Sequence, residues 1–137
     1  MFKYLKFYFF IVFLILNNHS HAVSEVSDLK LSNNSINEFF NYISSPRKNA
    51  DRFLVTLDGT GTFTWSCPQT LCFPAGELFY AKPCSEKYEK KKCKIFASGR
   101  KIVWSNSTNM SQNSINIKQS ISLTDVKNKL KKLGFID

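Results

Sequence analysis

The chain has 137 residues, with 19 Lys and Arg against 10 Asp and Glu, so its formal net charge is +9. This length suits one ordinary domain. Both histidines, His19 and His21, fall in the first 22 residues, so the rest of the chain lacks the imidazole needed by Ser-His and Cys-His nucleophile pairs and by most zinc and copper sites.

Residues 1–22 have the layout of a secretory signal peptide. Two lysines precede an uninterrupted apolar run over residues 7–16, which is too short to span a bilayer comfortably, and small residues stand at the −3 and −1 positions of a cleavage site at Ala22. We expect export to the periplasm or the exterior after cleavage near Ala22. The mature chain, residues 23–137, would carry a net charge of 9 − 2 = +7. An uncleaved membrane anchor is the alternative.

The four cysteines all lie in the mature chain, and an even number in an oxidising compartment indicates two disulfides. The local pairing, Cys67–Cys72 with Cys84–Cys93, is favoured because short separations close most easily. The crossed pairing, Cys67–Cys84 with Cys72–Cys93, stays open. A zinc site is disfavoured because the spacings lack paired C-x2-C knuckles.

The mature chain begins with a polar, unpatterned stretch over residues 23–34, which predicts a flexible N-terminus. Ser35 and Glu38 then form a capping box. A short helix follows and ends before Pro46. The apolar residues at helical spacing in this helix are Ile36, Phe39, Phe40 and Ile43.

Residues 53–67 alternate between apolar and polar side chains around a turn at residues 58–61, which predicts a first hairpin. We expect a threonine-lined solvent face on this hairpin. The residues of equal parity, assigned to the core face, are Phe53, Val55, Leu57, Phe63, Trp65 and Cys67.

Residues 75–89 have a helical composition but contain Pro83, so that the helix either kinks or begins there. The residues expected to face inward are Leu78, Ala81, Cys84 and Tyr88. A second hairpin follows over residues 93–104, with Gly99-Arg100 as a two-residue type II′ turn. The core face assigned to this hairpin comprises Cys93, Ile95, Ala97, Ile102 and Trp104, with Phe96 and Val103 on the other face.

Residues 105–122 are rich in Asn and Ser and predict a long loop with an edge strand at 115–117. Ser122 then caps a last helix, which Gly134 ends. The apolar stripe of this helix is Val126, Leu130 and Leu133, and Phe135 is expected to pack back onto the core.

These elements predict an α+β fold of order α-β-β-α-β-β-α. Two antiparallel β-hairpins form a small sheet packed against helices, and disulfides link the elements. We expect two layers, with the helices on one face of the sheet.

Three motifs stand out in this chain. They are F-x-V-x-x-D-G at 53–59, C-K-I-F-A-x-G-R-x-I-V-W at 93–104 and K-L-x-x-L-G-F at 129–135, together with the cysteines at 67, 72 and 84. In these motifs the chain resembles a group of small exported alphaproteobacterial proteins of unknown function. The resemblance covers residues 36–135 and is most specific at 93–104. It implies export and a shared fold, and it brings no catalytic residues.

The positive residues before and within the second hairpin are the candidate binding surface. Lysines suit the end of a helix, and the hairpin tip is expected to lie near them. The set is either a solvated charged face or a surface for an anionic partner, such as lipopolysaccharide, an acidic lipid or a cell-wall polymer. Nucleic acid is disfavoured for an exported protein, and no protein partner is indicated. The candidate anion-binding residues are Lys87, Lys90, Lys91, Lys92, Lys94, Arg100 and Lys101.

The leading hypothesis is therefore a non-enzymatic binding or structural protein of the bacterial envelope, with no metal and no cofactor. The alternative is a small exported hydrolase that uses paired carboxylates. A redox protein is disfavoured because C-x-x-C is lacking. The carboxylates available for hydrolysis are Asp58, Glu77, Glu86 and Glu89.

Three aromatic residues offer a further binding hypothesis, an exposed platform for a glycan. They are Phe63, Trp65 and Trp104. Their parity matches the core faces of the two hairpins, which favours a structural role.

Overall fold

A computed structural model describes residues 28–67, 72, 75–107 and 115–137. The predicted signal peptide and its cleavage site lie outside the described residues. Among the helices described, none has the length and apolar character needed to cross a membrane. The elements are α1 Asn33–Ser44, β1 Arg52–Thr56, β2 Thr62–Trp65, α2 Glu77–Lys87, β3 Cys93–Ser98, β4 Lys101–Ile102, β5 Ile115–Asn116 and α3 Leu123–Lys132.

The described strands form one five-stranded sheet in the order β2-β1-β3-β4-β5, and every neighbouring pair is antiparallel. The predicted α+β class and the two hairpins are confirmed. Pairing of β1 with β3 joins the first hairpin to the second, so these two strands occupy the centre of the sheet.

Helices lie on both faces of this sheet. α1 and α3 pack on one face around the main cluster, which includes Phe53, Val55 and Phe96. α2 packs on the other face, where Leu54 and Ile95 belong to a second cluster. The expected two-layer arrangement is wrong because β1 carries three consecutive apolar residues, each at most 1% exposed, and a strand buried on both faces needs cover on both.

A β-bulge at Phe96 corrects the predicted face of the second hairpin. Phe53 pairs with Ala97 but Leu54 pairs with Ile95, so Phe96 is an extra residue on β3. The bulge turns Phe96 and Ala97 both into the main cluster, while Ile95 stays on the α2 face. Strict alternation had placed Phe96 on the outer face.

The loop of the first hairpin reverses the parity that the sequence suggested. Leu54 pairs with Phe63, so Phe63 and Trp65 lie on the α2 face rather than beside Phe53. Leu57, assigned to the core, is 44% exposed. The cause is the even number of residues between paired positions: six residues separate Val55 from its partner Thr62, so an odd-numbered residue of β1 shares its face with even-numbered residues of β2.

The predicted threonine face is also only partly solvated. Thr56 is fully buried and Thr62 is 8% exposed. Thr56 Oγ1 donates to Asp58 Oδ1 at 2.6 Å and accepts from Gly61 N at 2.8 Å. Its hydroxyl is therefore hydrogen-bonded inside the turn, which offsets the cost of burial.

Helix α1 begins earlier than the capping box indicated. The N-cap is Ser32, whose Oγ accepts from Ser35 N at 3.2 Å. Ser35 lies inside the first turn and donates its hydroxyl to Gly59 O at 2.7 Å. Gly59 has φ +71°, and a Cβ at this position would lie 1.7 Å from Lys30 O, so only glycine fits there. The predicted stripe is confirmed: Ile36, Phe39 and Ile43 are buried and Phe40 is partly buried.

The chain leading into α1 is held by hydrogen bonds. Leu31 N donates to Phe135 O at 2.9 Å. Buried Asn106 donates from Nδ2 to Leu29 O at 3.0 Å and accepts from Leu29 N at 2.9 Å. Because Leu29 and Leu31 are also buried in the main cluster, they pack in a way that the prediction of a flexible stretch over 23–34 did not foresee.

Helix α2 continues through Pro83, so a start at that residue is wrong. Cys84 and Tyr80, one turn apart, are buried, whereas Leu78 lies off this stripe and is 85% exposed. The other predicted inward residues are partly buried. The inward assignment of Leu78 is therefore wrong, and Tyr80 takes its place.

The second hairpin turn, the edge strand and the last helix follow the predictions. Ala97 pairs with Ile102, and Gly99 has φ +53° in the turn between them. β5 forms the predicted edge strand. Ser122 Oγ accepts from Asp125 N at 3.1 Å at the start of α3. The apolar residues of this helix and the segment after it are buried as expected, namely Val126, Leu130, Leu133 and Phe135.

Both disulfides of the local pairing are confirmed. Cys67 is bonded to Cys72, and Cys84 is bonded to Cys93, with Cα atoms 6.0 and 6.1 Å apart. The second bond ties α2 to the start of β3. The crossed pairing is thereby excluded.

Phe96 should be the ring on which the main core depends most. Its centroid lies 5.1 Å from that of Phe39 and 5.0 Å from that of Phe135. We expect Phe96→Ala to lower the free energy of unfolding by about 3–5 kcal/mol, measured by urea denaturation. The matched control is Phe79→Ala, which should cost less than about 1 kcal/mol because Phe79 is 59% exposed. Equal losses for the two variants would contradict this packing.

Candidate anion-binding surface

The lysines between α2 and β3 lie on a tight turn, residues 88–92, which we call the lysine turn. Glu89 and Lys90 have φ values of 51° and 66°, in the left-handed region. Lys90 N donates to Ser85 O at 2.8 Å. The Cys84–Cys93 disulfide spans the turn, so its backbone is held by a covalent bond and by hydrogen bonds.

The three consecutive lysines of this turn do not point the same way. Lys91 Nζ lies 2.8 Å from Asp58 Oδ2, in the loop between β1 and β2. Lys90 and Lys92 instead line a cavity beside α2. The run K-K-K therefore contributes one structural ion pair and two exposed charges.

The cavity beside α2, which we call the α2 groove, has a volume of about 560 Å³. Its floor is apolar and includes one partner of the Cys84–Cys93 disulfide. Lysines from the helix and from the lysine turn surround this floor, so that an apolar surface and positive charge occur in one place. The lining residues that matter here are Leu78, Ala81, Lys82, Glu86, Lys90 and Lys92.

Lys82 is a member of this surface that sequence reasoning missed. It precedes Pro83 and is not among the candidate residues that the sequence indicated. The available signal was its spacing, because Leu78, Lys82 and Glu86 recur every four residues and so share one side of the helix.

The remaining candidate lysines make local contacts elsewhere. Lys87 Nζ lies 3.4 Å from Thr62 O, on the β2 side of α2. Lys94 Nζ lies 5.4 Å from the ring centroid of Trp104, at a distance typical of a cation–π contact. Lys101 is exposed at the tip of the second hairpin.

Arg100 has a structural role that the sequence did not suggest. Its Nε donates to Ile43 O at 3.1 Å and its Nη2 donates to Ser45 O at 3.0 Å, so the guanidinium caps the C-terminus of α1. Arg100 and Lys101 follow the far end of β3, which is about 20 Å long for six residues. The structure therefore separates the hairpin tip from the lysine turn.

The carboxylates proposed for hydrolysis lie in the β1–β2 loop (Asp58), on α2 (Glu77 and Glu86) and in the lysine turn (Glu89). Asp58 accepts hydrogen bonds from Lys91, Thr56 and Thr60, which hold its pKa well below the ordinary value. A carboxyl that stays ionised near neutral pH is a poor general acid. Glu77 lies at the start of α2, where Oε1 accepts from Ile95 N at 3.4 Å. Within the described ranges, His, Cys, Asp and Glu form no cluster of three that could hold a metal ion.

The three aromatic residues considered as a platform belong to different clusters. Phe63 and Trp65 pack partly buried on the α2 face, and Trp104 is 9% exposed in the main cluster. They therefore do not form one exposed platform. This placement agrees with the structural role that their parity favoured.

Comparisons with protein families, with curated proteins and with solved structures found no match to this chain. The resemblance to small exported alphaproteobacterial proteins stays a prediction.

Arg100 provides a test of the separation between structural and binding charges. We expect Arg100→Ala to lower the free energy of unfolding by about 1–2 kcal/mol, because two charge-assisted hydrogen bonds to α1 are lost. Lys101→Ala, at the same tip, should stay within about 0.5 kcal/mol of the parent in the same denaturation experiment. A loss of anion binding by Arg100→Ala without any loss of stability would show that the cap is not its main role.

The Asp58–Lys91 pair makes a prediction about pH. Because the pKa of Asp58 is lowered in the folded state, its stabilisation is present above the unfolded pKa of about 4 and is lost as pH falls towards the folded value. We expect Asp58→Asn to be destabilised at pH 7, by a difference from the parent that shrinks below about pH 4. The effect should be small because both groups are about half exposed. The free energy of unfolding of both proteins can be measured by denaturation at several pH values. A difference between parent and variant that is the same at every pH would contradict the prediction.

Proposed function

We propose that this protein is an exported, non-enzymatic binding protein of the bacterial envelope, and that it contacts an anionic partner through the lysines of the α2 groove. The observation that carries the proposal is the grouping of Lys82, Lys90 and Lys92 around one cavity. Among the residues that line the cavity Glu86 is the one carboxylate, so the lining has a charge of 3 − 1 = +2.

The ammonium groups of these three lysines are all on exposed residues, and none takes part in an ion pair within the described part of the chain. Lys91, their neighbour in sequence, differs because Asp58 already neutralises it. Like charges held close together repel one another and lower stability slightly. An anion bound among them would remove that repulsion, which supports a binding role over a merely solvated face.

The rigidity of the lysine turn also supports binding. Association costs free energy wherever it orders side chains and loops, and a backbone that is already fixed avoids part of that cost. The Cys84–Cys93 bond fixes the turn that carries Lys90 and Lys92, while α2 fixes Lys82. The disulfide at this point therefore holds the backbone that carries the charges, in addition to stabilising the fold.

The predicted export narrows the class of anion. Lipopolysaccharide, acidic lipids and cell-wall polymers are the abundant polyanions of a bacterial envelope, and the chain is positive enough for long-range attraction to any of them. The resemblance to exported alphaproteobacterial proteins agrees with this setting. Nucleic acid is disfavoured by the same argument.

Charge reversal at the groove tests the proposal. We expect the double variant Lys90→Glu/Lys92→Glu to bind lipopolysaccharide and phosphatidylglycerol vesicles at least tenfold more weakly than the parent, measured by co-sedimentation. Binding by the parent should weaken steeply between 0.01 and 0.1 M salt, because the Debye length falls from about 30 Å to about 10 Å. Stability should change little, since exposed charges contribute little to folding.

The matched control is Lys118→Glu/Lys127→Glu, which makes the same change in net charge. Lys118 follows β5 at the sheet edge and Lys127 lies on α3, across the sheet from α2, and both are exposed. We expect the control to lose less than about threefold in affinity. If both double variants weaken binding equally, the attraction follows net charge alone and the groove is not the site.

A further inference from the structure

The α2 groove has a feature that charge alone does not explain. Leu78 lines it and is 85% exposed, the most exposed large apolar residue among those described. Its neighbours along the floor are Ala81 and the sulfur-bearing Cys93. Covering this apolar floor and the exposed leucine with another apolar group would lower the free energy of the system. The cavity volume of about 560 Å³ lies in the range of small-molecule sites.

The groove is also polarised along α2. Leu78 lies near the N-terminal end of the helix, Lys82 lies one turn further on, and Lys90 and Lys92 lie past the C-terminal end. From Leu78 to Ser85 the helix rises by about 10 Å. One end of the groove is therefore apolar and the other end is positive.

We propose that the α2 groove binds a single-chain anionic amphiphile, an alkyl chain that ends in a carboxylate or a phosphate. The chain lies along Leu78 and Ala81, and the anionic head lies among Lys82, Lys90 and Lys92. The inference deepens the proposed function, on which it rests, because it names the chemical class of the anion and its orientation.

Two parts of each lysine side chain can contact such a ligand. Their methylene stems can cover an alkyl chain while their ammonium groups stay in water beside the head. A polyanion without apolar groups would use the ammonium groups but would leave Leu78 and the floor exposed to water. Charge complementarity at one end and apolar cover at the other therefore favour an amphiphile over a purely polar polymer.

Glu86 gives the proposal a second, independent consequence. It is the carboxylate on the rim of the groove and would repel an anionic head. Glu86→Gln keeps the size and the helix propensity of the side chain but removes the charge. We expect this variant to bind an anionic amphiphile about two- to fivefold more tightly than the parent.

The direct test is calorimetric titration of the purified mature protein with a set of monomeric probes. Dodecanoate should bind, and decanoate should bind about tenfold more weakly, because each buried methylene contributes up to about a factor of four. Acetate, which has the head without the chain, should show no binding. Dodecyl maltoside, which has the chain without the charge, should bind at least tenfold more weakly than dodecanoate.

Matched variants test where the alkyl chain of the ligand lies on the protein. Leu78→Gln should weaken dodecanoate binding at least fivefold, with unchanged thermal unfolding because the side chain is exposed. Leu57→Gln removes the other strongly exposed leucine, which is 44% exposed and lies in the loop before β2, and it should leave the affinity unchanged. Lys90→Glu/Lys92→Glu should weaken binding of dodecanoate, as well as of phosphatidylglycerol vesicles, at least tenfold.

The outcomes separate this inference from the proposed function. If the alkyl chain length of the probe and Leu78→Gln have no effect on affinity, while Lys90→Glu/Lys92→Glu still weakens vesicle binding, the proposal of an amphiphilic ligand is wrong and the proposed anion-binding function stands. If the protein binds vesicles but none of the monomeric probes, the ligand is a lipid surface and not a single amphiphile, and the inference is wrong. Equal affinity for dodecyl maltoside would show that the head is not recognised. If Lys90→Glu/Lys92→Glu binds both dodecanoate and the vesicles as tightly as the parent does, both proposals are wrong.

Discussion

The pairing of β1 with β3 is the contact on which the rest of the structure depends. It joins two hairpins that would each be only marginally stable alone, and it creates a strand pair with apolar residues on both faces. Leu54 turns towards α2, whereas Phe53 and Val55 turn towards α1 and α3. The bulge at Phe96 adds a second large ring to the main core without changing the partner strand. Both helical layers, and hence the position of the α2 groove, follow from these two strands.

Local signals in the sequence were sufficient wherever the structure is decided by neighbouring residues. Ser122 and Gly99 behave as a helix cap and a hairpin turn for reasons contained in a few residues, and the short-range disulfides agree with the pairing that short separations favour. The faces of the strands were harder, because a single extra residue reverses them. No local signal in the sequence indicates the bulge at Phe96, or the even number of residues between paired positions that places Phe63 on the α2 face.

The candidate site was predicted in part, for a similar reason. Lysines near one another in sequence were identified, but the direction of each side chain depends on distant residues. Asp58, more than thirty residues away, pairs with the ammonium group of Lys91, and the end of α1 accepts hydrogen bonds from the guanidinium of Arg100. Lys82 lies in the groove beside Lys92 and Cys93 because α2 packs against β3, where the disulfide also joins them. Tertiary contacts therefore decide which members of a basic run are available to a ligand.

The backbone of the lysine turn is strained, and a disulfide holds it in place. Glu89 and Lys90 both have positive φ values, which cost non-glycine residues on the order of 1–2 kcal/mol each. The Cys84–Cys93 bond closes a loop of about ten residues and contributes roughly 2–3 kcal/mol, a similar magnitude. Glycine at either position would relieve the strain but would be more flexible, and at Lys90 it would also remove a charge. The lysine turn therefore has a strained backbone with charged side chains, and the disulfide together with the hydrogen bond from Lys90 N to Ser85 O holds that backbone in one conformation.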